Sequence, residues 1–256
     1  MADGPAAALA ARLEAAVDLS ALQAVSREVD RLVRDAFGRG VPVAALMQQV
    51  SALDRRLCAR AWGFVAPAAL VARSCLLVMG SERRGEQLLK TDQDNALLLP
   101  DDAGAGAWCA DEPAAAAQRF TQALVDLGWP PCPGGVMVSN ARWRQPLAAF
   151  RDTMRGWIYG ADPAGPMHLA IFLDAVPLAG DVTLFEAARH HLAQIVDGAD
   201  TFLARFAAAA DAFAEPEPAG FLGALGPLGA LASSASFGRL GRWLHRGHDH
   251  EDDADD

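Results

Sequence analysis

Two short apolar runs, Cys75-Leu-Leu-Val-Met79 and Ala96-Leu-Leu-Leu99, flank a polar segment that opens with Gly80-Ser81 and closes with Asp92-Gln93-Asp94-Asn95. Apolar runs this short, bounded by turn residues, read as buried strands over 75–79 and 94–99. Strand side chains alternate, so Asp92 and Asp94 point to one face. Two adjacent carboxylates repel, and a divalent cation is the usual reason for both to stay ionised. Gly80-Ser81 offers unhindered backbone N–H groups to a phosphate. The pattern points to a magnesium–nucleotide site.

Around these strands the chain reads as helical. Leu9, Leu13 and Val17, then Leu22, Val25, Val29, Leu32 and Val33, keep helical spacing over 6–37, with Ser20 as the expected N-cap between two helices. Gly38-Arg39-Gly40 breaks the pattern, and 42–61 resumes it. Helices are also expected over about 113–127, 147–159 and 183–214, the last split near Asp197-Gly198. Further strands are expected at 135–138 and 169–174. The organisation expected is an N-terminal helical segment (1–65), an α/β core (66–181) and a C-terminal helical segment (182–214). A loosely docked Gly/Pro-rich stretch and an acidic tail (215–256) follow.

Of the net charge of −10, −6 lies in the end of that tail, 248–256, which has six acids and no Lys or Arg. Its six acids, taken from 32, leave 26 against 22 basic residues, so no broad nucleic-acid-binding surface is expected. Cys58, Cys75, Cys109 and Cys132 form no Cys-x-x-Cys pair, which removes zinc-ribbon and redox motifs. The first residues, Met-Ala-Asp-Gly-Pro, lack a basic n-region and apolar core, and no run is long enough to span a membrane. A cytoplasmic protein is the expectation.

Gly80-Ser81, about ten residues, then Asp92-Gln93-Asp94 resembles the signature of the polymerase β nucleotidyltransferase superfamily. The longer string, with Arg84-Gly85-Glu86-Gln87 and Thr91-Asp92-Gln93-Asp94-Asn95, is similar to the family of unknown function numbered 294. That family is related to the uridylyltransferase domain that modifies the nitrogen-regulatory PII protein. Two more blocks agree: Gly128-Trp129-Pro130-Pro131-Cys132-Pro133-Gly134-Gly135-Val136-Met137 with Asn140 and Trp143, and Phe172-Leu173-Asp174 with Pro177-Leu178-Ala179-Gly180-Asp181. Position 83 is Arg where the family has Gly, and position 176 is Val where it reads Asp-x-Arg.

The resemblance implies a small mixed-sheet α/β core with helical flanks and a nucleoside triphosphate substrate. It implies transfer of a nucleoside monophosphate by a two-metal mechanism, the Mg²⁺ ions held by Asp92, Asp94 and, on a neighbouring strand, Asp174. Gly80, Ser81, Arg84 and Lys90 are the nucleotide-side candidates, Lys90 being equally readable as a solvated surface charge. Glu86 and Gln87 belong to loop architecture, and Asp181 to a helix cap. Arg142, Arg144, Arg151 and Arg155 are either an electrostatic rim or a solvated face. His190-His191 is read as core or surface, and His245, His248 and His250 as at most a loose metal site. The acceptor implied is a protein or signalling molecule. Two alternatives stand beside this: a catalytically inactive nucleotide-binding regulator acting through its helical arms, and a small-molecule nucleotidyltransferase.

Overall fold

The computed structural model describes residues 5–39, 43–79, 90–102, 108–160, 162–197, 199, 201, 202, 204 and 206. Gly80, Ser81, Arg83, Arg84, Glu86 and Gln87 lie outside the described residues, as does 215–256 with His245, His248 and His250. The architecture is mixed α/β, with eight helices and a four-stranded sheet among the described residues. Two compact units are distinguished, 1–147 with 175–185, and 148–174 with 186–256.

In the first unit, α1 (Pro5–Ala15) and α2 (Leu19–Gly38) are separated by a three-residue break. Asp18, not Ser20, is the N-cap: its Oδ1 accepts from Ala21 N at 2.8 Å. Ser20 falls inside the first turn, where its hydroxyl has no capping role. Next come α3 (Val43–Val65), α4 (Ala68–Arg73) and, after two strands, α5 (Glu112–Leu127). Leu22, Val25, Val29 and Val33 of α2, Leu46, Val50, Leu53 and Leu57 of α3, and Phe120, Leu124 and Leu127 of α5 share one core. Burying each such side chain contributes roughly 1.5–3 kcal/mol. Trp62 meets Phe120 edge-on, centroids 5.4 Å apart. Ser26 Oγ donates to Leu127 O at 2.7 Å, satisfying a carbonyl that the end of α5 leaves without an intrahelical partner.

The sheet has the order β3-β2-β1-β4. β1 (Cys75–Val78) and β2 (Asn95–Leu99) are antiparallel, with Val78 opposite Asn95. Every residue of both is buried, so they read as continuous apolar runs rather than alternating ones. β4 (Val176–Gly180) runs antiparallel to β1, Val176 opposite Val78, and β3 (Arg144–Pro146) runs parallel to β2. Gly180 closes β4 with φ +96; a Cβ there would sit 1.8 Å from Ser74 O. Only glycine permits the chain to pass so close to the end of α4.

Two expected strands are corrected. Residues 169–174 are not a strand: α7 (Gly165–Leu173) occupies them, started by Gly165-Pro166, and Asp174 is its C-cap. Proline fits a first helical turn, where its missing N–H costs nothing. The strand lies just beyond, at 176–180. Residues 135–138 are irregular backbone between turns at 133–134 and 138–139, and the strand expected there falls instead at 144–146.

The second unit holds most of α6 (Leu147–Tyr159), α7 and most of α8 (Val182–Val196). Phe150, Trp157 and Phe172 form its aromatic core, with centroids 5.2–6.3 Å apart, and buried His168 lies 5.8 Å from Trp157. Among the described residues no helix is long and apolar enough to cross a membrane.

Candidate functional site

The chain enters β2 through Asp92-Gln93-Asp94, and the middle residue fixes the direction of the outer two. Gln93 is buried; its Nε2 donates to Trp129 O at 3.0 Å and Thr121 O at 3.2 Å. Asp92 and Asp94, one residue to either side, are half-buried and take the opposite face. Met79 N donates to Asp94 O at 2.9 Å, which ties the end of β1 to the same point.

A second segment is laid along this one. Gln93 N donates to Pro130 O and Asn95 N to Val136 O, each at 3.0 Å, and Val138 N donates to Asn95 Oδ1 at 2.8 Å. Between these anchors the chain turns, with Gly135 N bonded to Cys132 O. The turn delivers Cys132 to the two aspartates: one ligand atom from each of Asp92, Asp94 and Cys132 all lie within 4.8 Å of one another. Burial pushes the Cys132 thiol up to about 12; the Asp94 charge and the S–H bond donated to Asp94 act in the same direction. Two carboxylate oxygens suit Mg²⁺, which takes oxygen ligands and completes its shell with water and phosphate. The sulfur suits a softer ion.

Cys132 is the site residue that sequence reading missed. The signal was present as a thiol inside Pro-Pro-Cys-Pro-Gly-Gly, but only the pairing of 130–136 with 93–95 reveals its neighbour.

Lys90 is not a solvated surface charge. Its side chain is 5% exposed, its Nζ lies 2.5 Å from Asp30 Oδ1, and it donates to Ser26 O at 3.4 Å. Nζ also sits 4.9 Å from the Trp129 ring centroid, a cation–π contact. Gly128, with φ +108, ends α5 and passes 3.2 Å, measured from where a Cβ would be, from Lys90 Cδ. On α3, Asp54 faces the same group. Its Oδ1 is enclosed without a hydrogen-bond partner among the described residues. Burial pushes its carboxyl up to about 7; Asp30 adds to the rise and Lys90 opposes it.

The basic run is divided. Arg144 turns inward, donating to Val138 O at 2.5 Å and Ser139 O at 3.2 Å, and burial lowers its pKa. Arg142 is exposed. Arg151 and Arg155 belong to the second unit, where burial first and these two charges next lower the pKa of His191. His190 is exposed and bonded to Gln194 at 2.9 Å. Asp174 is buried at the end of α7. Asp181 is the cap expected of it, accepting from Thr183 N at 3.0 Å and Thr183 Oγ1 at 2.6 Å.

No curated protein matches the chain. The sequence model of one family, described as "Putative nucleotidyltransferase DUF294", matches residues 27–164, more than half of the 256. The match takes in Gly80-Ser81, Asp92, Asp94 and Cys132 and ends before Asp174. The Asp-x-Asp pair at the head of β2, the docked 130–136 turn and this match agree: the chain belongs to the DUF294 family of nucleotidyltransferases.

Proposed function

We propose that this chain transfers a nucleoside monophosphate from a nucleoside triphosphate to a hydroxyl of a protein or signalling molecule in the cytoplasm. The observation that carries the reading is the convergence of Asp92 and Asp94 in a chain of this family. When bound, Mg²⁺ would supply charge neutralisation for the phosphates and a lowered pKa for the acceptor hydroxyl. Asp92 and Asp94 would hold it, kept on one side by the buried Gln93. Gly80 and Ser81 are assigned to the phosphates through their N–H and hydroxyl groups, and Arg84 through a guanidinium fork. Lys90, already engaged by Asp30, is assigned to position the end of that segment. Asp174 is proposed as third carboxylate from the Phe172-Leu173-Asp174 block of the sequence alone.

One observation favours the inactive regulator as a second reading. Val176, where the family carries Arg, is part of β4 and pairs with Val78, so that end of the strand has no guanidinium from this position.

Binding and turnover separate the readings. Mg²⁺ with nucleotide at a hundredfold over its dissociation constant would stabilise the protein by about 2.7 kcal/mol in either case. Asp92→Asn with Asp94→Asn would remove the Mg²⁺-dependent part. Only the enzyme releases pyrophosphate and leaves labelled nucleotide on a discrete acceptor in cell extract, and Asp174→Asn would stop this labelling. Stabilisation without labelling, across four nucleotides and several extracts, would replace the transferase with the regulator. No stabilisation by any nucleotide would refute both.

A further inference from the structure

We propose that Cys132 is a sulfur ligand of the divalent cation at Asp92 and Asp94, and that it inclines the site toward thiophilic ions such as Zn²⁺ and Co²⁺ over Mg²⁺. The inference deepens the metal reading above and rests on it.

Distance is the first argument. Oxygen and sulfur donors bound to one ion at about 2.1 Å and 2.3 Å can be at most about 4.4 Å apart. The three donors already lie within 4.8 Å of one another; spread around one ion at these bond lengths they would stand about 3.4–3.8 Å apart, so closing onto it takes side-chain shifts of up to about 1 Å. Placement is the second. The backbone around Cys132 is held on both sides, at Pro130 and Val136, and Cys132 N itself donates to Met137 Sδ at 3.4 Å. A sulfur so anchored, beside two carboxylates, is a preformed donor rather than a passing thiol. The other cysteines differ: Cys58 and Cys75 are buried, Cys109 is exposed, and none joins this cluster.

The chemistry balances simply. Without a cation the thiol S–H donates to Asp94. On binding, that proton leaves to solvent and a metal–sulfur bond takes its place. Two carboxylates and one thiolate then face a doubly charged ion. Mg²⁺ has little affinity for sulfur and keeps to the oxygens, while Co²⁺ and Zn²⁺ accept both donor types and bind more tightly across the first-row series.

The test uses the full chain and Co²⁺ as probe. Titration should produce a thiolate-to-cobalt charge-transfer band in the near ultraviolet, saturating at one ion per chain, with one proton released. Cys109→Ser should keep the band; Asp94→Asn and Cys132→Ser should lose it. The ratio of Co²⁺ to Mg²⁺ affinity should fall in Cys132→Ser by about tenfold or more, the scale on which changes around a metal act. If Cys132→Ser does not fold, the wild-type protein answers: Zn²⁺ should protect the Cys132 peptide from alkylation, read by mass spectrometry. Co²⁺ binding without the band, or alkylation unaffected by Zn²⁺, overturns the role of Cys132 while leaving a Mg²⁺ site standing. Absence of stabilisation by any divalent ion overturns this inference together with the metal reading.

Discussion

Replacing Asp54 by Asn should make the protein more stable, and increasingly so as pH rises. The carboxyl is raised from 3.8 to about 7 in the folded protein, chiefly by burial. A raised folded-state pKa means that the folded chain holds a proton the unfolded chain has lost. Asp54 therefore costs nothing below pH 3.8, and its cost grows up to about pH 7 and then levels off. At 1.36 kcal/mol per pK unit, the full cost is about 4 kcal/mol, of which roughly 3 falls between pH 5 and pH 8. Asn carries no titrating proton and is spared this slope. For a protein of this size each kcal/mol moves the thermal midpoint by about 2–4 °C. The midpoint of Asp54→Asn minus that of wild type should grow by roughly 6–12 °C between pH 5 and pH 8. Melting both proteins in matched buffers cancels every other titration they share. Parallel curves across that range would refute the argument and show Asp54 to be charged and accommodated in the folded state.

Three further outcomes are expected. Lys90→Met removes the ion pair with Asp30 and the Trp129 contact; because Asp30 is 38% exposed and can rehydrate, urea unfolding should show a loss of about 2 kcal/mol rather than the 3–5 of a fully buried pair. The loss should increase above pH 7, since Lys90 no longer restrains Asp54. Gly180→Ala combines φ +96 with a Cβ 1.8 Å from Ser74 O, and should cost more than about 4 kcal/mol, seen as loss of soluble folded protein. Ser26→Ala leaves the carbonyl of Leu127 without its buried donor and should cost about 1–3 kcal/mol in the same urea assay.

The Asp92–Asp94 pair was legible because its two residues lie two positions apart. The period-two spacing gave the common face of Asp92 and Asp94, and the flanking apolar runs gave β1 and β2. Helices α5 and α6 were legible from their apolar stripes and, for α5, the proline in the first turn. Leu169-Ala-Ile-Phe-Leu173 misled because a five-residue apolar run fits a buried strand and a buried helix equally well; the deciding mark was Gly165-Pro166 at the helix start. β3 carries Arg-Gln-Pro and has no strand pattern at all. Its state is set by pairing with β2, a non-local cause. Lys90 and Cys132 share that reason: each is defined by a partner some forty to sixty residues away, Asp30 in one case and Asp94 in the other.

Both outer strands of the described sheet contain a proline, Pro146 in β3 and Pro177 in β4. A proline has no N–H to offer a further strand, so each rim is missing a donor where a new ladder would have to form. β3 is only three residues long, and the β1–β4 pairing shifts register between Leu76 and Leu77, which spoils a regular template at the other rim. An extended peptide therefore has little to gain by adding itself to either side, and two copies of the chain have little reason to fuse edge to edge. On the described sheet, a protein that presents a hydroxyl to Asp92 and Asp94 gains little from strand addition, which leaves side chains and helix surfaces to recognise it.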